Sequence, residues 1–137
     1  MKYKFLPHTA DVKFQAYGLS LEKVFENSAL AMQEIITKGI KISPKIRKIV
    51  KIKADDLSGL LYKFLEEFLF LLDSRAFIAS KISKIKINKE KFELHAVILG
   101  DKAKKYKLSN DVKAVTYNNM FVKKEKGKLA CQVVLDV

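Results

Sequence analysis

The sequence predicts an α+β fold in which two helices pack on a mainly antiparallel sheet within a single domain, residues 1–137. Two long segments place apolar residues at helical spacing. Most of the remaining chain consists of short segments in which apolar and polar residues alternate, a pattern typical of strands with one buried face. The later segments are joined by turns too short for the crossovers that parallel strands require, which favours antiparallel pairing.

Both predicted helices begin at a capping residue. The first occupies "LSLEKVFENSALAMQEIITKG", where the Ser20 hydroxyl is placed to accept a backbone N–H of the first turn. The second occupies "DDLSGLLYKFLEEFLFLLDS", with Asp55 or Asp56 as its cap. Apolar residues nearly encircle this second helix, so we expect it to lie between layers or inside a curved sheet.

Eight segments are predicted to be strands from their alternation and their content of β-branched residues. They are "YKFL", "VKFQAY", "IRKIVKIKA", "FIASKISKIKIN", "KFELHAVILG", "DVKAVTYN", "NMFVKKEK" and "KLACQVVLDV". The short stretches "NKEK" and "EKGK" are predicted to be hairpin turns. The order of strands, helix, strand, helix and then strands joined by short turns is typical of the α+β class.

Composition limits the class of protein. Cys131 is the one cysteine and only two histidines are present, which excludes a disulfide framework and a thiolate zinc site. No apolar run approaches the about 20 residues that span a bilayer, and the start "MKYKFLPH" lacks the pattern of a signal peptide. We therefore expect a cytoplasmic protein without a membrane partner, and the sequence leaves its oligomeric state open.

The net charge of +12 arises from 27 Lys and Arg residues against 15 Asp and Glu residues. A basic surface raises the encounter rate with nucleic acid or with an acidic partner. Lysine enrichment is also common in heat-adapted proteomes, where it implies no polyanionic partner. The charge alone leaves both explanations open.

A polar elbow, "LPHTAD", separates the first two predicted strands. A simple hairpin would use Asn-Gly or Asp-Gly, whereas this turn concentrates His8, Thr9 and Asp11. The common structural explanation is that Thr9 or Asp11 caps the turn while His8 packs at a strand end. The end of the chain suggests another explanation, because Asp136 precedes the Val137 carboxylate on a predicted strand.

If the last strand lies beside the elbow, Asp11, Asp136 and the Val137 carboxylate could converge. Three carboxylates lie close together only with a cation between them or with raised pKa values. Oxygen ligands favour Ca²⁺, Mg²⁺ or Mn²⁺, so a divalent metal ion is the cofactor that this arrangement predicts. In "DVKAVTYNN", the alternation turns Lys113 away from a small apolar row, towards solvent or towards a partner or phosphate.

Four stretches together resemble the archease family: "LPHTADVKFQAYGLSLEKVFENSALAM", "DDLSGLLYKFLEEFLF", "DVKAVTYNNM" and the terminal "LDV". They follow the family's order and cover almost the whole chain. The resemblance implies an accessory protein rather than an enzyme, one that activates the RtcB-type RNA ligase that joins tRNA halves. It implies that the protein promotes guanylylation of the ligase histidine and multiple turnover, and that it acts in the cytoplasm.

The resemblance also implies a divalent metal site at an acidic tip, which would enter the metal and nucleotide site of the ligase. The residues at the matching positions are Asp11, Asp136 and the Val137 carboxylate for the metal, and His8, Thr9 and Lys113 for the elbow and the partner-facing surface. Many family members have Asp where this chain has Pro7 and His where it has Asn118. We therefore expect neither an extra acid at the elbow nor a histidine ligand at position 118.

Two other functions remain open. The lysine-rich stretches "KISKIKINKEK" and "DKAKKYK" would suit a basic RNA-binding chaperone that presents tRNA to processing or modifying enzymes. A metal-dependent hydrolase would need a general base beside its metal, and His8 is the one suitable candidate that the sequence offers.

Overall fold

A computed structural model describes residues 1–8 and 10–137 of the chain. Within that part, seven strands and two α-helices follow the predicted order of strands, helix, strand, helix and strands. Their bounds are β1 (Tyr3–Leu6), β2 (Val12–Gly18), α1 (Leu21–Thr37), β3 (Ile46–Lys53), α2 (Leu57–Arg75), β4 (Phe77–Asn88), β5 (Glu93–Lys102), β6 (Ala114–Glu125) and β7 (Lys128–Asp136). A 3₁₀ turn at Ala103–Lys105 follows β5.

The described strands form two sheets rather than one. The first sheet has the order β1-β2-β7-β6 and the second has the order β3-β5-β4. All of their pairings are antiparallel, which confirms the α+β class predicted from the sequence. Local patterns did not reveal the division into two sheets, because the partner of each strand is set by packing between distant parts of the chain.

The segments "DVKAVTYN" and "NMFVKKEK", predicted as separate strands, form the single strand β6. Thr116 pairs with Val134, and the next paired residue, Phe121, faces Gln132. Asn119 lies within this register shift and has a positive φ of 55°. A bulge breaks the alternation of side chains much as a turn does, which explains why the sequence pattern indicated two strands.

Both helix caps lie where the sequence predicts them. Ser20 Oγ accepts the Lys23 N–H at 3.1 Å, and Asp56 Oδ1 accepts the Gly59 N–H at 2.7 Å. The helix α2 contacts β6 of the first sheet and both β3 and β4 of the second. The helix α1 likewise contacts β2 and β7 of the first sheet and β4 of the second. The helices therefore lie between the two sheets, as predicted for α2.

The core between these layers is rich in aromatic and aliphatic side chains. Phe64 of α2 is fully buried, and its ring centroid lies 5.1 Å from that of Phe68 and 6.0 Å from that of Phe25. Cys131 is also fully buried, and burial raises the pKa of its thiol to about 12, so it serves as a small core residue. No helix in the described part of the chain is both long and apolar enough to cross a membrane.

Asp101 is a buried carboxyl group near the end of β5. The Tyr106 hydroxyl donates to its Oδ2 at 2.7 Å, and the Lys102 N–H donates to its Oδ1 at 2.8 Å. These hydrogen bonds hold the pKa of Asp101 below its usual range, and the bond from Tyr106 has the largest effect. Because the folded-state pKa is lowered, the carboxylate stabilises the fold above its unfolded-state pKa, and this contribution is lost as the pH falls through the folded-state value.

We expect Asp101→Asn to flatten the acid limb of the stability profile. The wild-type Tm should fall as the pH drops below about 4. The Tm of the variant should be lower than that of wild type at neutral pH and should change less over the same pH range. Thermal unfolding followed by circular dichroism at a series of pH values measures the Tm of both proteins. Asp55→Asn, which removes an exposed carboxylate, is the control and should keep the wild-type profile. An unchanged acid limb in Asp101→Asn would contradict this assignment.

Candidate functional site

The strand β7 lies beside the polar elbow, between β2 and β6. Val12 of β2 pairs with Leu135 of β7, so the next position of this register places Asp11 opposite Asp136. On the other side of β7, Asp136 pairs with Ala114. We call these three residues, Asp11, Asp136 and Ala114, the acidic row. Convergence of the acidic groups requires the last strand to lie beside the elbow, and β7 lies there.

The two acidic side chains of this row belong to the same face of the sheet. Gln15 and Gln132 pair across the same two strands, and Gln15 Nε2 donates to Gln132 Oε1 at 2.8 Å. Asp11 and Asp136 lie four residues further along their respective strands. Because side chains alternate with a period of two, the alternation continued to the strand ends brings both carboxylates to the face that carries the glutamine pair.

The acidic row is open to solvent and to a partner. The Asp11 side chain is 31% exposed, and Asp136 is exposed. Ala114 contributes only a methyl group, so the side of Asp136 that faces β6 is not covered by a long side chain. Like charges directly opposite each other on a sheet are destabilising, and water screens exposed charges only in part. A bound cation would remove this repulsion.

His8 adds a nitrogen atom to this end of the sheet. His8 Nδ1 lies 3.9 Å from Asp11 Oδ2, which is too long for a hydrogen bond. This Nδ1 is buried and has no hydrogen-bond partner among the described residues. A buried polar atom without a partner is uncommon in folded proteins. Carboxylate oxygens beside an unpaired imidazole nitrogen form a donor set that suits a divalent cation, Mn²⁺ included.

The predicted site is only partly assembled. Within residues 1–8 and 10–137, no three His, Cys, Asp or Glu side chains are grouped closely enough to hold a metal ion. Val137 follows β7 and packs, half buried, against the core. Thr9 lies outside the described residues. A metal site built from Asp11, Asp136 and the Val137 carboxylate therefore stays a prediction.

Lys113 is exposed immediately before β6, and its N–H donates to the Asp136 main-chain oxygen at 2.8 Å. Lys113 also lines a cleft of about 630 Å³ between α2, β3 and the start of β6. The charged residues around this cleft are Lys51, Lys53, Lys63, Glu66, Glu67, Asp73 and Lys113. Burial has the largest effect on the pKa of Glu67 and raises it, and the negative charge of Glu66 raises it further. Local sequence patterns do not reveal this cleft, because its walls come from three separate parts of the chain.

The model of the Archease protein family matches residues 3–137 of the chain. The chain belongs to the archease family. A curated relative from Methanosarcina mazei, named Protein archease, is 36% identical over 140 residues, which cover 99% of this chain and 96% of the relative. This confirms the family that the sequence motifs resemble.

Two solved structures share the fold. The solution structure of Methanobacterium thermoautotrophicum protein 1598 has a TM-score of 0.84 and 37% identity, and the match covers 99% of both chains. A Thermotoga maritima protein, described as an archease and possible chaperone, has a TM-score of 0.69 and 20% identity, covering 98% of this chain and 96% of that one. At 20% identity the second match supports the fold alone.

Proposed function

We propose that this protein is an accessory factor that activates an RtcB-type RNA ligase in the cytoplasm, promoting guanylylation of the ligase histidine and repeated turnover. Membership of the archease family supports an accessory role. The observation that supports the proposal most is the β2–β7 register, which, continued by one position beyond Val12 and Leu135, would set Asp11 opposite Asp136 at an open strand end.

The acidic row would hold a divalent cation, Ca²⁺, Mg²⁺ or Mn²⁺, through Asp11 and Asp136, with the Val137 carboxylate as a third group. Such an ion, when bound, supplies positive charge that offsets the negative charge of a nucleoside triphosphate during guanylyl transfer. His8 lies beside Asp11, with its Nδ1 3.9 Å from Asp11 Oδ2, and would shape the elbow around the ion. The methyl side chain of Ala114 keeps the β6 side of the row accessible to the ligase.

The location of the row suits insertion into a partner. It lies at the ends of strands rather than in an enclosed pocket, so its carboxylates can approach a site on a second protein. Lys113 stands next to it, exposed, and would meet either an acidic surface of the ligase or a phosphate of the nucleotide. A free-standing hydrolase is less well supported, because the cleft beside Lys113 is lined by neither Asp11 nor Asp136, so it would not position a substrate at these carboxylates.

Single-turnover guanylylation of the cognate ligase tests this function. The ligase is mixed with GTP and Mn²⁺, with and without this protein, and the covalent ligase–GMP product is followed over time. We expect the protein to accelerate guanylylation and to raise the number of ligation events per ligase molecule. An unchanged rate and turnover number, with protein confirmed to be folded by circular dichroism, would contradict the proposal.

A further inference from the structure

One face of the second sheet is open to solvent and strongly basic. The opposite face packs on the helices and buries Val50, Leu94, Ala96 and Ile98. The residues that alternate with these point away from the core and are largely exposed. The cations of this outer surface, which we call the basic face, are Arg47, Lys51 and Lys53 on β3 and Lys81, Lys84 and Lys86 on β4.

The pairing registers arrange these cations in rows across the sheet. The rows are Lys51–His95–Lys86, Ile49–Val97–Lys84 and Arg47–Leu99–Lys81. Neighbouring strands lie about 4.8 Å apart, and residues on one face of a strand repeat about every 7 Å. The cations of β3 and β4 therefore stand in two columns about 10 Å apart, separated by β5 residues that carry no negative charge in these rows.

The second of two bulges in β4 brings its three lysines to one face. The pairing with β5 skips Ser80 and Ser83, so that Lys81 faces Leu99 and Lys84 faces Val97. Without the bulge at Ser83, strict alternation would turn Lys81 to the side opposite Lys84. The Ser80 hydroxyl donates to the Ile42 main-chain oxygen at 2.7 Å, which ties one bulge to the neighbouring loop. The alignment of the lysines is thus built into the backbone.

Within the sheet, the positive charge of this face is almost uncompensated, although Glu66, Glu67 and Asp73 share the cleft that Lys51 and Lys53 line at the β3 edge. Glu93, opposite Lys53, is the one carboxylate among the outward residues of the described sheet. Within the described part of the chain, no cation of the basic face takes part in an ion pair. Such a surface holds mobile counterions, and their release favours binding of a polyanion.

Lysines on edge strands also prevent sheets from pairing with one another, and both β3 and β4 are edges of this sheet. That role requires charge at the edge, but it does not require six cations on the same face. The alignment produced by the Ser83 bulge therefore favours a ligand over simple protection of the edge.

We propose that the basic face binds the phosphate backbone of double-helical RNA without reading its base sequence. The outward residues include no Phe, Tyr or Trp, so unpaired bases find no aromatic surface on which to stack. Double-helical RNA instead presents phosphates in a regular array that is recognised by shape and charge. The choice of RNA rests on the proposed function, since a ligase activator works where RNA is bound.

Fluorescence anisotropy of a labelled RNA hairpin, titrated with the protein alone over a series of KCl concentrations, tests the proposal. The variant Lys51→Gln/Lys84→Gln/Lys86→Gln should bind roughly tenfold or more weakly at low salt. Its plot of log affinity against log salt should be shallower by about 2 to 3, since each lost phosphate contact removes about one unit. Glu93→Gln should bind more tightly than wild type, because it removes the one carboxylate of the face.

The matched control is Lys124→Gln/Lys126→Gln/Lys128→Gln, which removes the same charge from the β6–β7 hairpin of the other sheet. Wild-type-like binding by this control, with weak binding by the first triple variant, would support the proposal. Equal losses in both variants, absence of binding at low salt, or equally tight binding of polyglutamate would overturn it. RNA binding is measured without the ligase and guanylylation without RNA, so failure of this proposal and failure of the ligase proposal are detected separately.

Discussion

Asp136→Asn should lower single-turnover guanylylation of the cognate ligase to the rate that the ligase shows without an activator. The substitution removes one negative charge and one carboxylate oxygen from the acidic row while preserving the size of the side chain. It should leave the strand in place, because the Lys113 N–H bonds to the main-chain oxygen of residue 136 and not to its side chain. Loss of activation would therefore report on the carboxylate itself.

Glu125→Gln is the control for this experiment, because Glu125 is an exposed acid at the opposite end of the same sheet. It should activate the ligase as wild type does. Calorimetric titration of the isolated protein with Mn²⁺ gives a second measurement that does not depend on the ligase. Asp11→Asn and Asp136→Asn should each bind Mn²⁺ roughly tenfold or more weakly than Glu125→Gln. Full activation by Asp136→Asn would show that the acidic row is not the activating group.

Local sequence patterns were sufficient for most of the secondary structure. The caps at Ser20 and Asp56 were predictable because a capping side chain bonds within its own first turn. Strands such as β4 and β7 were predictable because alternation is a local property. The division into two sheets was not, because it depends on which strands pair, and pairing is decided by contacts far apart in the chain.

The candidate site was predictable in its residues more than in its arrangement. The polar elbow, the terminal strand and the family resemblance nominated Asp11 and Asp136, and the β2–β7 register, continued by one position beyond Val12 and Leu135, sets them opposite each other. The burial of His8 Nδ1 without a partner among the described residues depends on tertiary packing and has no signature in the sequence. The basic face was not predictable for a related reason. Alternation alone would place Lys81 and Lys84 on different sides of the sheet, and the bulge at Ser83 brings them to the same side.

The predicted encirclement of α2 by apolar contacts holds for most of its surface but not at Phe70. Phe64 is fully buried between the sheets, whereas the Phe70 residue is 46% exposed, with the Arg75 guanidinium carbon 5.3 Å from its ring centroid. Helical spacing in the sequence already distinguishes these two residues. The neighbours of Phe70 three and four positions away are all polar (Glu66, Glu67, Asp73 and Ser74), whereas those of Phe64 are mostly apolar. Burial in the folded structure follows this spacing.

Phe64→Ala should lower the free energy of unfolding by about 3 to 5 kcal/mol, since it removes a buried ring and leaves a cavity beside Phe25 and Phe68. Phe70→Ala makes the same chemical change six residues further along the helix and on another face, where half-exposed surface and a cation–π contact account for about 1 kcal/mol or less. Urea unfolding followed by circular dichroism compares the pair directly. Similar losses in the two variants would mean that α2 is not enclosed between the sheets on its Phe64 side. A large difference would establish that the enclosure, rather than the apolar composition of α2, stabilises the layer on which both the acidic row and the basic face depend.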